Sequence, residues 1–424
     1  MMERLEQENR RLKRAVEELS ILNEIGIAIS STMGVQKMTE LILKKCTKYI
    51  KAEQGVIWLV SREEEIPRFE TFKRVVDPTF VGVPYRLGVS LTGWILKYQK
   101  PLLINDLTKD ERFKGKEIES ADIRSLLAVP LRLKNKMIGV LCLFNKKDDA
   151  DFTPDDQRLL SIIAIQSAQT IENARLYEEE RKLLDLEEDL RTAHRIQQSF
   201  LPKENPIIKG IDIFGLSIPA KEVGGDYYDF IQIDEHHLGI AIADVSGKGT
   251  PAALLMANLH ACLRGQALIN RSVKDTVNKA NFMLSRFMDM GRFITLFYGI
   301  LDVKKKTFTY TNAGHNFPLL LDKDSNSKTL EKGGIILGIS DNSVYEEETV
   351  QLNPGDLLLL YTDGISEAMN EKDEMFEEQR LLKLLKDNQD LSAQNLSEKI
   401  VDSVLSFQGT IPQGDDITLV LVKT

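Results

Sequence analysis

The chain has 424 residues, 42% of them hydrophobic, and a formal net charge of −9. That length suggests two to three domains with ample apolar material for packed cores. The acidic balance excludes a general nucleic-acid binder, which would carry a basic face. Three cysteines, Cys46, Cys142 and Cys262, show no paired spacing and fit a reducing cytoplasm. None has an Arg six positions later, which argues against cysteine-phosphatase chemistry. The N-terminus has no apolar core of signal-peptide length, and no stretch reads as long and apolar enough to span a bilayer.

Residues 1–22 space Leu5, Leu12 and Leu19 seven apart among charged residues, which predicts a short coiled-coil helix. Residues 23–170 then alternate in type. An amphipathic helix over 37–50 precedes a strand, GVIWLV (55–60). The segment 86–107 reads as a Gly-started helix, then Pro101, then a strand. RSLLAVPLRLKNKMIGVLCLFNK (124–146) reads as a hairpin turning at KNK. A helix follows over 151–177, with Thr153 as N-cap and Pro154 at the first helical position. Residues 171–200 continue it with Leu176, Leu183 and Leu190 on one heptad position and Leu186, Ala193 and Phe200 on another. That pattern predicts a two-helix coiled-coil linker ending at Leu201-Pro202.

The order of elements over 23–170 resembles a GAF sensor domain. VSLTGWILKYQKPLLINDL and LLAVPLRLKNKMIGVLCLFNK carry the likeness. Asn145, Lys146, Phe152 and Asp156 follow the motif of cyclic-nucleotide GAF domains, with Gln157 where that motif has Glu. The resemblance implies a small-molecule or cyclic-nucleotide ligand. It also implies a Lys–Asp pair bracing a strand end to a helix.

Beyond residue 200 the informative residues are aspartates in tight, Gly-flanked settings: Asp226 in GGDYYD, Asp244 in ADVSGKG, Asp363 in YTDG, and Asp415 and Asp416 in GDDIT. Apolar strand-like runs adjoin three of these settings: 238–245, 356–364 and 415–422. Converging carboxylates repel one another unless a cation lies among them, and all-oxygen ligation suits Mg²⁺ or Mn²⁺. Two such ions would activate water for attack on a phosphoryl group.

The ordered series FLP (200–202), EVGGDYYD (222–229), ADVSGKGTPAALLMA (243–257), NAGHNFPLLL (312–321), PGDLLLLYTDGISEA (354–368) and GDDITLVLV (414–422) resembles the PPM phosphatases of the SpoIIE/RsbU branch. The resemblance implies an α+β chain: a GAF domain (23–170), a coiled-coil linker (171–200) and an αββα phosphatase sandwich (201–424). It implies a cytoplasmic homodimer that binds two Mn²⁺ or Mg²⁺ ions and needs no phospho-enzyme. Its substrate would be phosphoserine or phosphothreonine on a partner such as a STAS-type anti-sigma-factor antagonist, and neither nucleic acid nor a membrane would be a partner.

By the same resemblance Asp226, Asp244 and the Val245 carbonyl hold the first metal, and Asp363 and Asp415 close the second site. Glu222 and Asp229 would support these ligands, and Asp416 would support them or compete with its neighbour Asp415 for the ligand role. Lys248 and Lys221 are the nearest cations in sequence, Lys248 being the one that could reach a phosphate. The chain departs from the eukaryotic branch in having Val-Ser-Gly after Asp244, where a Gly-His that could protonate a leaving group would stand. It also has no arginine in the phosphate-clamping position. His315 reads as part of a turn, and His194, His236 and His237 as surface or linker residues. The alternatives are a non-catalytic scaffold and a nucleotide-signalling enzyme with a cyclic-nucleotide-binding GAF domain.

Overall fold

The computed structural model describes residues 34–60, 69–76, 94–95, 97–113, 123–134, 136–288 and 291–424, with residues 4, 8, 9, 16, 20 and 23 before them. The expected N-terminal coiled coil and most of the segment 86–101 lie outside the described residues. The chain divides into two units, Met1–Asp185 and Leu186–Thr424.

In the first unit, α1 (Val35–Ile50) places Val35, Met38, Ile42, Leu43, Cys46 and Ile50 on one buried stripe, the three-to-four spacing of an amphipathic helix. It precedes an antiparallel sheet of order β2-β1-β5-β4-β3. The strands are β1 (Ala52–Val60), β2 (Phe69–Val76), β3 (Leu102–Ile104), β4 (Leu126–Leu133) and β5 (Lys136–Lys146). Alternate residues serve two cores. Ile57, Leu59, Leu141 and Leu143 pack with α1, whereas Val56, Trp58, Cys142 and Phe144 pack with Ile104 and Phe113 on the other face. β4 and β5 form the expected hairpin.

The helix α2 (Pro154–Gln198) starts at a capping box. Thr153 Oγ1 accepts from the Asp156 N–H at 3.2 Å, and Asp156 Oδ2 accepts from the Thr153 N–H at 2.8 Å. Asp156 also pairs with Lys146 at the end of β5, so the strand-to-helix brace is present. The division between the units falls inside α2. The helix ends earlier than expected, at Gln198, because its last turn tightens: Ser199 donates to the Ile196 carbonyl and Phe200 to the Gln197 carbonyl. Phe200 therefore leaves the heptad pattern, and its ring stacks on His260 at 5.1 Å.

The second unit is a sandwich of two sheets. One has the order β13-β10-β9-β8-β7, with β14 (Glu348–Gln351) also paired to β10. Its strands are β7 (Tyr227–Gln232), β8 (His237–Val245), β9 (Ile294–Asp302), β10 (Thr307–Ala313) and β13 (Gly333–Gly334). The other sheet has the order β12-β11-β15-β16-β6. It is built from β6 (Asp212–Ile218), β11 (Leu319–Leu321), β12 (Ser327–Thr329), β15 (Leu357–Tyr361) and β16 (Ile417–Lys423). Leu358, Leu360, Val420 and Val422 face the first sheet. Their neighbours Leu357, Leu359, Leu419 and Leu421 face α6 (Glu377–Asp387) and α7 (Ala393–Gln408). The all-apolar runs of β15 and β16 follow from burial on both faces.

On the outer side of the first sheet lie α3 (Thr250–Ile269) and α4 (Val273–Leu284). Contrary to the sequence reading, α3 is long and apolar enough to cross a membrane by length and composition. In this fold it packs on the strands β7 and β8 and buries Ala252, Met256, Leu259 and Leu263.

Candidate functional site

The five aspartates sit where strands end or loops enter them. Asp226 immediately precedes β7, Asp244 is near the end of β8, and Asp363 opens the one-turn helix α5 (Asp363–Ser366) after β15. Asp415 and Asp416 lead into β16. Sheet pairing brings these ends together. Thr362, just before Asp363, accepts through its Oγ1 from the Thr418 N–H at 3.1 Å and donates to Asp226 Oδ2 at 2.8 Å. One hydroxyl thus ties two strands of the second sheet to the aspartate that precedes β7 of the first.

Asp416 anchors the loop that carries Asp226. Its Oδ1 accepts from the Ala220 N–H at 2.8 Å, and its Oδ2 from the Gly225 and Asp226 N–H groups at 2.7 and 3.4 Å. This accounts for the paired glycines. A Cβ on Gly224 would stand 2.1 Å from Asp416 Oδ2, and one on Gly225 would stand 2.7 Å from the Val245 carbonyl oxygen. A side chain at Gly224 would displace the Asp416 carboxylate, and one at Gly225 would push the loop away from the strand that carries Asp244.

The electrostatics mark these acids as a set. Burial raises Asp226 well above the usual carboxylate range, and the Asp244 charge adds to the shift. Asp244 is pushed up to about 7, first by burial and then by Asp363, Asp415 and Asp416. Asp363 is also raised, by burial and by Asp415. Among the described residues no three Asp, Glu, His or Cys side chains already close on one point to hold a metal. The donor chemistry still fits a hard cation. The candidate donors are carboxylates and the Val245 carbonyl, without thiol or imidazole, and the mutual repulsion of the carboxylates is what a divalent ion would relieve.

Lys248 is the one cation in ion-pair contact with this cluster among the described residues, 2.9 Å from Asp415 Oδ2. Asp229 lies apart from it. Its buried carboxylate accepts from Tyr227 Oη at 2.8 Å and pairs with Arg264 at 3.1 Å. Glu222 is exposed, and it is its carbonyl that meets a partner, His194 Nδ1. Lys221 is exposed as well.

Sequence reasoning missed Thr362, although it stands inside YTDG, and missed the end of α2. There Gln197 is buried and makes a reciprocal pair with Gly224, donating to its carbonyl at 2.7 Å and accepting from its N–H at 3.1 Å. His194, read as a surface or linker residue, touches the same loop. His315 is buried in the turn after β10, with Nδ1 2.8 Å from Thr295 Oγ1. Burial pushes it down to about 4, so it is neutral at pH 7.

The family profile for Stage II sporulation protein E (SpoIIE) matches residues 234–424, and the GAF domain profile matches residues 32–172. Phosphoserine phosphatase RsbU of Bacillus subtilis (strain 168) is 32% identical over 252 residues, 58% of this chain and 74% of that protein. This chain belongs to the RsbU/SpoIIE phosphatase family. Phosphoserine phosphatase RsbP of the same organism is 27% identical to this family member, over 56% of this chain and 58% of RsbP. Protein IcfG of Synechocystis sp. is 29% identical over 55% of this chain and 41% of that protein. The chain thus spans less than two thirds of these two relatives. The SiaA-PP2C domain of Pseudomonas aeruginosa shares the PP2C fold, with a TM-score of 0.51 and 21% identity over 57% of this chain and 98% of that one.

Proposed function

We propose that this chain is a divalent-cation-dependent phosphatase acting on phosphoserine or phosphothreonine of a signalling partner, under control of a GAF domain. The observation that carries the reading is the gathering of Asp226, Asp244, Asp363 and Asp415 into one mutually repelling set, buried at Asp226 and half exposed at Asp415, with a single lysine paired to it among the described residues. Asp226, Asp244 and the Val245 carbonyl would hold one Mn²⁺ or Mg²⁺, and Asp363 and Asp415 a second. When bound, such ions supply Lewis acidity, making water nucleophilic at neutral pH and neutralising phosphoryl charge. Thr362 occupies one oxygen of Asp226 and fixes the direction of the other. Asp416 holds the loop backbone and serves as a support. No imidazole touches the carboxylates among the described residues, so in this reading the leaving Ser or Thr oxygen takes its proton from water.

The domain reading is a GAF unit over 23–170, a linker helix over 171–200 and a catalytic unit from 201. Exposed Leu176, Leu183 and Leu186 on α2 favour pairing with a second copy as a parallel coiled coil. The pairs that His194 and Gln197 make with residues 222–224 give helix movement a route to the loop before Asp226. The partner is a phosphorylated STAS-type anti-sigma-factor antagonist, the GAF ligand a small molecule or cyclic nucleotide, and the compartment the cytoplasm.

A second reading, a non-catalytic scaffold, draws on the absence of a ready-made ligand cluster among the described residues. Phosphate release from p-nitrophenyl phosphate and from a phosphoserine antagonist, with Mn²⁺, with Mg²⁺ and with chelator, decides between the two. Activity that vanishes with chelator supports the enzyme, and inactivity under every condition supports the scaffold. The same assay with and without cyclic AMP or cyclic GMP tests the sensor.

A further inference from the structure

Lys248 stands between two glycines in the left-handed region, Gly247 (φ 95°) and Gly249 (φ 77°), just before α3. The turn projects its ammonium back over the cluster. Nζ lies 2.9 Å from Asp415 Oδ2 and donates to the Gly414 carbonyl. Asp363 and Asp416 also lie within its field. Both members of the ion pair remain about half exposed, at 46% and 45%. An ion pair of that exposure is weak and easily exchanged. The carboxylate it holds is one that the reading above gives to the second cation.

Asp415 Oδ1 already accepts from the Asp416 N–H at 3.0 Å, so a divalent ion taking this carboxylate competes with Lys248 for Oδ2, where the two cations repel each other. Entry of the ion therefore releases Lys248, whose flexible stem leaves its ammonium at the edge of the site. The phosphoryl group of the substrate is a dianion. Among the described residues no arginine pairs with the cluster, so Lys248 is the cation placed to meet it.

We propose that Lys248 has two successive partners. It is the counter-ion of Asp415 before the second cation binds, and afterwards the contact for the phosphoryl oxygens of the substrate. This rests on the metal-dependent phosphatase reading and adds a role for a residue outside the ligand set. It predicts effects of opposite sign on the two ligands. A lysine that only stabilised the turn would weaken both when removed.

The test is calorimetry of Mn²⁺ binding to the full-length wild type, Lys248→Met and Lys248→Arg without substrate, followed by titration of the Mn²⁺-loaded proteins with inorganic phosphate. Lys248→Met should bind its weaker Mn²⁺ about three- to fivefold more tightly, having lost the competing ion pair. It should bind phosphate about tenfold more weakly. Lys248→Arg should stay near wild type in both titrations, and thermal melting checks that each variant is folded. Unchanged or weaker Mn²⁺ binding by folded Lys248→Met overturns the competition, and unchanged phosphate binding overturns the substrate contact. A wild-type chain that binds no Mn²⁺ overturns the metal reading itself, a result distinct from either.

Discussion

The two ends of the acidic cluster are built differently. Asp226 is 5% exposed, fixed by the Thr362 hydroxyl, and carried on a loop that Asp416 grips through backbone N–H groups. Asp415 is about half exposed, and its partner is a lysine on a glycine-flanked turn. The first end is held across the sandwich by groups of the opposite sheet and has a defined lone-pair direction before any ligand arrives. The second end has an exchangeable counter-ion. A site built this way keeps one carboxylate fixed while the other is free to change partner. The rigid end adjoins the loop that Gln197 grips, and the exchangeable end faces solvent.

Removing a carboxylate from the rigid end should have the largest effect. Asp226→Asn is expected to reduce phosphate release to background and to abolish the tighter Mn²⁺ isotherm, while the thermal melt of the cation-free protein is kept or raised, because a buried repelling charge is gone. Asp363→Asn should also abolish turnover but leave the tighter isotherm in place. If both variants lose the same isotherm, the division into two ends is wrong.

The rigid end extends downward through Thr295, whose Oγ1 lies 2.8 Å from His315 Nδ1 and 3.4 Å from the Asp244 carbonyl oxygen. His315 has a folded pKa near 4, held down by burial, against about 6.5 in an unfolded chain. The unfolded chain therefore binds a proton that the folded one does not over that window. Stability is fully present above about pH 6.5 and falls as pH drops toward 4, by roughly 3 kcal/mol. Urea midpoints across this range should show the slope in the wild type and a flatter one in His315→Gln. Equal slopes would mean that His315 titrates normally.

Thr362→Val should weaken Mn²⁺ binding and activity together by about 10–100-fold, the usual effect of losing a group that orients a ligand. Thr362→Ser, which keeps the hydroxyl, should restore both. If Thr362→Val binds Mn²⁺ normally, Asp226 does not depend on its brace.

The smallest effect is expected at the acid pair outside the cluster. Arg264→Met leaves Asp229 with Tyr227 and the Phe230 N–H. Because Arg264 is 44% exposed, the cost should be about 1–2 kcal/mol, below the roughly 3–5 kcal/mol of a fully buried pair. Chemical denaturation measures it, and Mn²⁺ affinity should not move. A change in Mn²⁺ affinity would bring Asp229 back into the site.

What the sequence made legible was local. Thr153 and Pro154 announce the start of α2, and the apolar runs beside Asp244, Asp363 and Asp415 become β8, β15 and β16. The glycines of GGDYYD mark a close approach, but not what approaches. The hidden part was long-range. Asp415 and Asp416 are neighbours in sequence, and only the fold turns one toward Lys248 and the other into the 220–226 loop. Asp229 looked like a companion of Asp226 until Arg264, 35 residues away, was seen to claim it. The helix end at 198 escaped reading because Pro202 was the visible stop, whereas the chain leaves the helix to bring Phe200 onto His260. Its Gln197 meanwhile holds Gly224.

The central claim is that these carboxylates form a divalent-cation-dependent phosphatase site. It is tested most directly by phosphate release from a phosphoserine-bearing antagonist protein, with the full-length chain titrated with Mn²⁺ and then with chelator, and with Asp226→Asn in parallel. The account predicts release that saturates with Mn²⁺, stops on chelation, returns when Mn²⁺ is restored, and is absent in the variant. Release that is unaffected by chelator, or equal in Asp226→Asn at saturating Mn²⁺, would contradict it.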